Sequence, residues 1–335
     1  MKLNYSHYLR PLAGVTLTER TLGGFSIGVF VLIFFLSVAF PFLCLYSLSS
    51  KNVTLLAIFA AFTVMAYVPW SDSFSDQVGG VIQRFYRYYA PRHFRRCQIV
   101  EEGSSKGGTT MVADKESTQT FYAVHPHGAL CMGWNILYNH ETFESVRFCF
   151  APYLYFTPFF RLFSRLLGRP GSASKSYMIS YLKLGESLAL LPGGFEDATL
   201  TSLHHDRIFI RKRTGFIRLC LKFGVAVRPV YVFGEKDCYW NIQGGWKWRL
   251  ALNRCSIPAA LPWGWSWIPL LPKKNAALYI VLGEPIMLPQ IDDPSKDQVY
   301  LWHEKYMAAL IKLYETHKDT AYGSDNAKSM KLEMW

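Results

Sequence analysis

The first pattern in the chain is a gap in charge. No Lys, Arg, Asp or Glu occurs between Arg20 and Lys51, and most of Leu22–Leu48 is Phe, Leu, Val or Ile. A helix of that length crosses about 30 Å of hydrocarbon. A second uncharged stretch runs from Asn52 to Ser71, and only Ser49, Ser50, Lys51 and Asn52 form the turn between the two. The pair predicts a membrane hairpin over residues 21–70. A cleavable signal peptide competes, but its apolar core would be about 7–15 residues long and would end at small residues. Past Asp72 the pattern changes to short apolar runs and amphipathic segments. Thr120–Val124 reads as a strand entering His125, Ser187–Leu191 as a buried strand, and Val225–Phe233 and Ala277–Leu282 as further strands. Thr157-Pro158 opens a helix that ends at Gly168, since Pro suits a first turn and Gly a C-terminus. Thr214 opens another, stopped by Gly224, and Asp293-Pro294 opens a last one to about His317. Gly103–Gly108 reads as a loop. Strands alternating with helices predict one α/β domain over residues 71–335, with a largely parallel or mixed sheet.

Charge orients the hairpin. Lys2, Arg10 and Arg20 precede it, and Arg84, Arg87, Arg92, Arg95 and Arg96 follow it, whereas the turn carries only Lys51. The positive-inside rule then puts both flanks in the cytosol, with residues 1–20 as a cytosolic N-terminal segment. Two full crossings and one re-entrant hairpin both fit, with Pro41 able to kink the first segment.

Composition narrows the class. Half of the 335 residues are hydrophobic and 18% are charged, against about 25% charged in soluble domains. That excludes a disordered chain. The net charge of +12 suits an anionic partner such as a membrane surface or a phosphate-bearing substrate. No nucleic-acid-binding motif accompanies the charge. Seven Cys without a Cys-x-x-Cys pair read as reduced thiols. One segment, 240–272, holds six of the ten Trp, with four Pro and with Lys247, Arg249 and Arg254 interleaved. It reads as an interfacial loop at the bilayer headgroups, where Trp is favoured, because Trp, Pro and basic residues together suit an interface better than a core; an aromatic core segment is the alternative.

Three features carry chemistry. His125-Pro126-His127-Gly128 follows a predicted strand: imidazole is the commonest general base near neutral pH, and Gly128 lets a substrate approach the main chain. A metal site of His125, His127 and Cys131, or a Cys131 nucleophile, would use the same loop, but neither has a further ligand cluster or partner motif. Pro192-Gly193-Gly194-Phe195-Glu196-Asp197 is a glycine turn followed by two carboxylates. Its N–H groups suit an oxyanion, and an acid there suits the orientation of an imidazole. A plain turn with solvated acids is the alternative. Arg207, Arg211, Lys212, Arg213, Arg218, Lys222 and Arg228 run into the helix opened by Thr214, a natural place for phosphates or a solvated face over anionic lipid.

The order of His125-Pro-His-Gly128, Pro192-Gly-Gly194 with its acids, Arg211-Lys-Arg-Thr-Gly-Phe216, Pro229–Glu235 and Gly283-Glu-Pro-Ile286, after an N-terminal hairpin, resembles the type 2 diacylglycerol acyltransferase family. That family also holds monoacylglycerol and wax-ester acyltransferases. Phe42-Leu43-Cys44-Leu45 fits a neutral-lipid motif proposed for it. The resemblance implies a glycerolipid-acyltransferase-like mixed sheet with flanking helices. It also implies an acyl-CoA-dependent O-acyltransferase that turns diacylglycerol into triacylglycerol at the endoplasmic reticulum membrane, with a cytosolic catalytic domain and the lipid droplet as a further site. In that reading His127 is the base, with Asp197 or Glu196 holding its imidazole and His125 positioning the loop or polarising the thioester. Gly128, Gly193 and Gly194 shape the oxyanion turn, and Arg211, Lys212, Arg213 and Arg228 hold the CoA phosphates. Acyl-CoA is a substrate, so no cofactor and no metal is expected. The partners are diacylglycerol and the bilayer, with no nucleic acid and a homo-oligomer left open. Where the family usually has Glu three residues after the second glycine, this chain has Asp197, preceded by Glu196. Broader glycerolipid acyltransferases place an acid five residues after the catalytic His, where this chain has Leu130 and Met132. A lipid-binding protein without catalysis, and a membrane hydrolase, are the other readings.

Overall fold

A computed structural model describes residues 14–69, 78–103, 119–254, 259–265 and 267–335. Most of the Gly103–Gly108 loop, the chain before Gly14 and the last residue of the hairpin, Trp70, lie outside them. Helix α1 spans Leu17–Ser49 and α2 Val53–Tyr67. Thr16 starts α1 with a capping box: its hydroxyl accepts from the Glu19 N–H while its own N–H donates to Glu19 Oε2. The helix passes through Pro41 unbroken. Its three buried serines, Ser26, Ser37 and Ser47, donate to the carbonyls of Leu22, Ile33 and Leu43, as polar groups in an apolar setting require. α1 is long and apolar enough to cross a membrane. The 15 residues of α2 rise only about 22 Å, short of that span.

Both helices are built into the body. Ile27, Phe30 and Val31 of α1 join the main core. Phe30 meets Phe160 edge-on, and Phe159 packs against Phe40, Phe59 and Phe62. The helix bearing Phe159 and Phe160 runs over Pro158–Leu167, within the bounds that Thr157-Pro158 and Gly168 set in the sequence.

The body is a mixed α/β structure. Strands β1 (Arg96–Glu101), β2 (Thr120–His125), β3 (Arg147–Phe150), β4 (Pro170–Ser172), β5 (Leu188–Leu190), β7 (Ala226–Phe233) and β8 (Ala277–Leu282) form a seven-stranded sheet in the order β1-β8-β7-β2-β5-β3-β4. Only the β7–β8 pair is antiparallel among the described strands of this sheet. β6 (Asp206–Ile208) and β9 (Leu332–Met334) pair separately.

Side chains divide by period two. Tyr122, Val124, Val230, Val232, Leu278 and Ile280 face the core shared with α1. Phe121, Ala123, Tyr231, Phe233, Tyr279 and Val281 face the core under the last helix, Lys296–Tyr322. That helix starts at a Ser295–Gln298 capping box, two residues after the expected Asp293, and runs past His317. The sheet is thus sandwiched between the apolar hairpin and this long amphipathic helix.

The connections reverse at β2 and β5. From β2 the chain moves outward to β3 and β4, whereas from β5 it returns across β2 to β7. Parallel neighbours whose connections diverge leave a crevice at their carboxyl ends, the usual ligand site of such sheets. His125-Pro126-His127-Gly128 leaves β2 at that edge, and Pro192-Gly193-Gly194 leaves β5 beside it.

Candidate active site

The carboxyl edge of the sheet joins the two motifs through the main chain. Asp197 lies on the short helix Gly194–Leu200 and is buried. Its Oδ2 accepts the backbone N–H of His127 at 3.1 Å, and its Oδ1 accepts the backbone N–H of Phe209. A Cβ at Gly193 would fall on this carboxyl, so the glycine turn makes room for the acid. Burial pushes the Asp197 carboxyl up to about 7, against the two N–H donors and Arg213, which favour its charged form.

The His127 imidazole is held by its own loop. Nδ1 lies 2.8 Å from the Gly128 carbonyl. A carbonyl only accepts, so Nδ1 carries the proton and Nε2 keeps its lone pair. Burial holds the ring below the ordinary imidazole range, and the Gly128 carbonyl and Glu196 partly offset this. Cys131 Sγ sits 3.1 Å and 3.2 Å from the two ring nitrogens. Burial, with Glu235 and Asp197 nearby, pushes this thiol well above its usual range, so it stays protonated and is a weak nucleophile.

Neither expected acid touches the imidazole among the described residues. Asp197 is spent on two main-chain N–H groups, and Glu196 turns outward to pair with Arg213 at 2.5 Å. The orienting group expected of a carboxylate is supplied here by a backbone carbonyl.

His125 is placed elsewhere. It continues the alternation of β2 onto the face of the last helix, is fully buried, and bonds through Nε2 to the Tyr306 hydroxyl at 3.0 Å. Burial lowers its imidazole to about 3, so it is neutral. This placement fits the loop-positioning role and removes it from contact with a thioester.

Glu235 is the residue whose part the sequence did not disclose. Buried, it accepts the N–H groups of Met132 and Gly133 at 2.8 and 2.7 Å, capping the helix Met132–Tyr138. Gly128 has φ +63°, and a Cβ there would strike the Glu235 carboxyl. Only glycine meets both conditions. Burial raises Glu235 to about 7. The available signal was its place at the end of the Pro229–Glu235 run.

The basic group divides. Arg211 and Lys212 are exposed, with Arg211 Nε donating to the Met334 carbonyl. Arg213 pairs with Glu196. Arg228 leaves the expected phosphate-binding set: it lies on β7, is buried, pairs with Glu101 at 2.6 Å and donates to the Gly283 carbonyl. A central strand has no solvent side to offer, so its cation is neutralised inside. No group of three or more His, Cys, Asp or Glu that could hold a metal occurs among the described residues.

These features define an α/β protein with a long apolar N-terminal helix, whose sheet presents an oriented neutral imidazole at its carboxyl edge. Residues 109–333 match the family model described as diacylglycerol acyltransferase, and the chain belongs to that family. It is 31% identical over 235 residues to diacylglycerol O-acyltransferase 2-like protein 6 of Mus musculus, covering 62% of this chain and 68% of that one. It is 28% identical over 220 residues to 2-acylglycerol O-acyltransferase 3 of Homo sapiens, covering 58% and 63%. It is 28% identical over 232 residues to acyl-CoA wax alcohol acyltransferase 2 of Homo sapiens, covering 62% and 68%. The chain thus matches about two thirds of these relatives' lengths. Among solved structures, the 1-acyl-sn-glycerophosphate acyltransferase PlsC of Thermotoga maritima aligns with a TM-score of 0.37 at 12% identity, over 82% of this chain and 94% of that one. At that score the likeness bears on neither site nor substrate.

Proposed function

We propose that this chain transfers an acyl group from acyl-CoA to the free hydroxyl of diacylglycerol, giving triacylglycerol. The carrying observation is the His127 ring, with Nδ1 on the Gly128 carbonyl and Nε2 left with its lone pair. The acceptor hydroxyl loses its proton to Nε2 as its oxygen attacks the thioester carbonyl carbon. Amide N–H groups of Gly193 and Gly194 meet the developing oxyanion. The carbon–sulfur bond then breaks, and the imidazolium returns its proton to the departing CoA thiolate. The products are the ester and free CoA, with no acyl-enzyme. Asp197 fixes the main chain of His127. Arg211, Lys212 and Arg213 hold the CoA phosphates.

The names of the relatives favour a second acceptor class: monoacylglycerol or a long-chain alcohol, worked on by the same residues. The setting in this reading is the endoplasmic reticulum membrane with the catalytic body cytosolic, the lipid droplet receiving the product. Labelled acyl-CoA is given to membranes containing the full chain with diacylglycerol, monoacylglycerol or long-chain alcohol in turn. Labelled triacylglycerol as the main product is expected. A preference for another acceptor moves the assignment to that acceptor, and free fatty acid alone makes the protein a hydrolase. No labelled product from any acceptor removes the enzymatic reading.

A further inference from the structure

The Trp-rich segment is a platform built from within. Trp240 and Trp263 exchange backbone hydrogen bonds at 2.7 and 2.8 Å. Arg249, buried on the helix Trp246–Arg254, donates to the carbonyls of Ile242, Gly244 and Ala259. Its outward side is apolar: Trp267 is 85% exposed, Leu261 63%, Trp248 61% and Trp263 53%. The sequence from Cys238 to Gly283 contains no Asp or Glu. Lys247 and Arg254 are exposed, and Lys274 Nζ lies 3.9 Å over the Trp265 ring.

The platform is fixed to α1. Leu271 packs over Gly24 and Gly28, where an added Cβ would touch its methyl groups. His93 Nε2 donates to the Pro272 carbonyl at 2.9 Å. Residues four apart share a helix stripe, and the next position on this one, Leu32, is exposed. The apolar surface of α1 therefore continues into that of the platform. Gly24 and Gly28 lie about 32–38 Å along α1 from Ser49 at the rise of an α-helix. That is just beyond the hydrocarbon thickness of about 30 Å, the depth at which Trp rings prefer to sit.

We propose that the platform formed by residues 240–254, 259–265 and 267–272 docks on the headgroup layer of an anionic bilayer, as a second membrane contact beside the hairpin. Trp267, Trp248 and Leu261 enter the interface, and Lys247, Arg254 and Lys274 face the lipid phosphates. The inference rests on α1 being embedded in the bilayer and extends that reading to the catalytic body.

The test reconstitutes the full chain in vesicles of phosphatidylcholine and phosphatidylglycerol, with acyl chains unlabelled, brominated near the headgroup, or brominated near the chain end. Tryptophan emission is compared between wild type and a Trp248→Phe/Trp267→Phe variant. Bromine near the headgroup should quench wild-type emission strongly, and the variant should lose a large share of that quenching. Aqueous iodide should not reach the two rings in lipid. Equal quenching of wild type and variant, or free access of iodide to the two rings in these protein-free bilayers, overturns the proposal, the latter pointing to a protein partner instead. Wild-type flotation with the vesicles reports separately on the hairpin, and acyl transfer in the same vesicles reports on the enzymatic reading.

Discussion

Asp197 holds His127 by its main chain rather than by its ring: Oδ2 accepts the His127 N–H at 3.1 Å, and the other oxygen takes the N–H of Phe209. One buried carboxyl thus ties together the loop after β2, the glycine turn after β5 and the segment leading to the basic residues. The arrangement separates two jobs that a catalytic triad gives to one acid. The ring is oriented by the Gly128 carbonyl, and the loop that carries the ring is fixed by Asp197.

His127→Ala should lower turnover by at least about 10²-fold, the low end for a lost general base. Protein abundance in membranes should stay near normal, because the ring's hydrogen bond is to its own loop. Acyl transfer measured at saturating substrate checks this, and activity within a few-fold of wild type would take His127 out of the mechanism.

Asp197→Asn places an NH2 where one of two main-chain N–H donors now points. One hydrogen bond is lost and two donors face each other in a buried site. Turnover should fall at least tenfold and the thermal midpoint should drop with it. Glu196→Gln loses only a part-exposed pair with Arg213, and such pairs are worth about 0–1 kcal/mol. Its turnover should stay within a few-fold. Parallel kinetics and melting of the two variants settle the assignment, and a silent Asp197→Asn beside an inactive Glu196→Gln would reverse it.

Local chemistry read from the sequence carried over where neighbours in the chain decide the outcome. Pro158 and Gly168 bound their helix, Gly224 stops the helix Gly215–Phe223, and Ala277–Leu282 is β8 as read. Strands β4 and β6 are not legible in the sequence, since three residues hold too little pattern to show a period, whereas the equally short β5 is marked by the Pro-Gly-Gly turn that follows it. Both chemical motifs were found at strand ends, but their partners were not. Arg228 looked like one more surface cation because Glu101 lies in a distant strand. Asp197 looked like a partner of the imidazole because the sequence shows the side chain and hides which donor it meets. Tyr306 and Glu235 act on the loop from the last helix and from the end of β7, and only the fold brings them there.

The divided basic group gives two distinguishable outcomes. Arg211→Ala with Lys212→Ala should raise the KM for acyl-CoA several-fold, leaving the thermal midpoint nearly unchanged, because both residues are exposed. Arg228→Ala should instead leave Glu101 without its cation. Breaking a buried pair costs about 3–5 kcal/mol, with less expected here because Glu101 is part-exposed. Its signature is a lower melting temperature with an unaltered KM in the surviving protein. A selective KM rise in Arg228→Ala would return that residue to the substrate site.

Glu235 supplies the pH test. Its carboxyl ordinarily titrates near 4.5 and is raised by burial to about 7 in the folded chain. Below pH 4.5 it is protonated in both states and contributes no pH dependence. Between about 4.5 and 7 the unfolded chain releases the proton while the folded chain retains it, so this group lowers stability progressively as pH rises. Above 7 both states are ionised and the change levels off. Glu235→Gln keeps a carbonyl acceptor for the N–H of Met132 or Gly133 but has no such titration. The stability difference between variant and wild type should therefore shift in the variant's favour between pH 5 and pH 8, because only wild type loses stability over that range. Melting in detergent across this range checks it. If turnover in Glu235→Gln falls while its pH profile keeps the wild-type shape, Glu235 positions the loop and takes no part in proton transfer. A stability difference that stays flat from pH 5 to 8 would show that Glu235 titrates alike in both states.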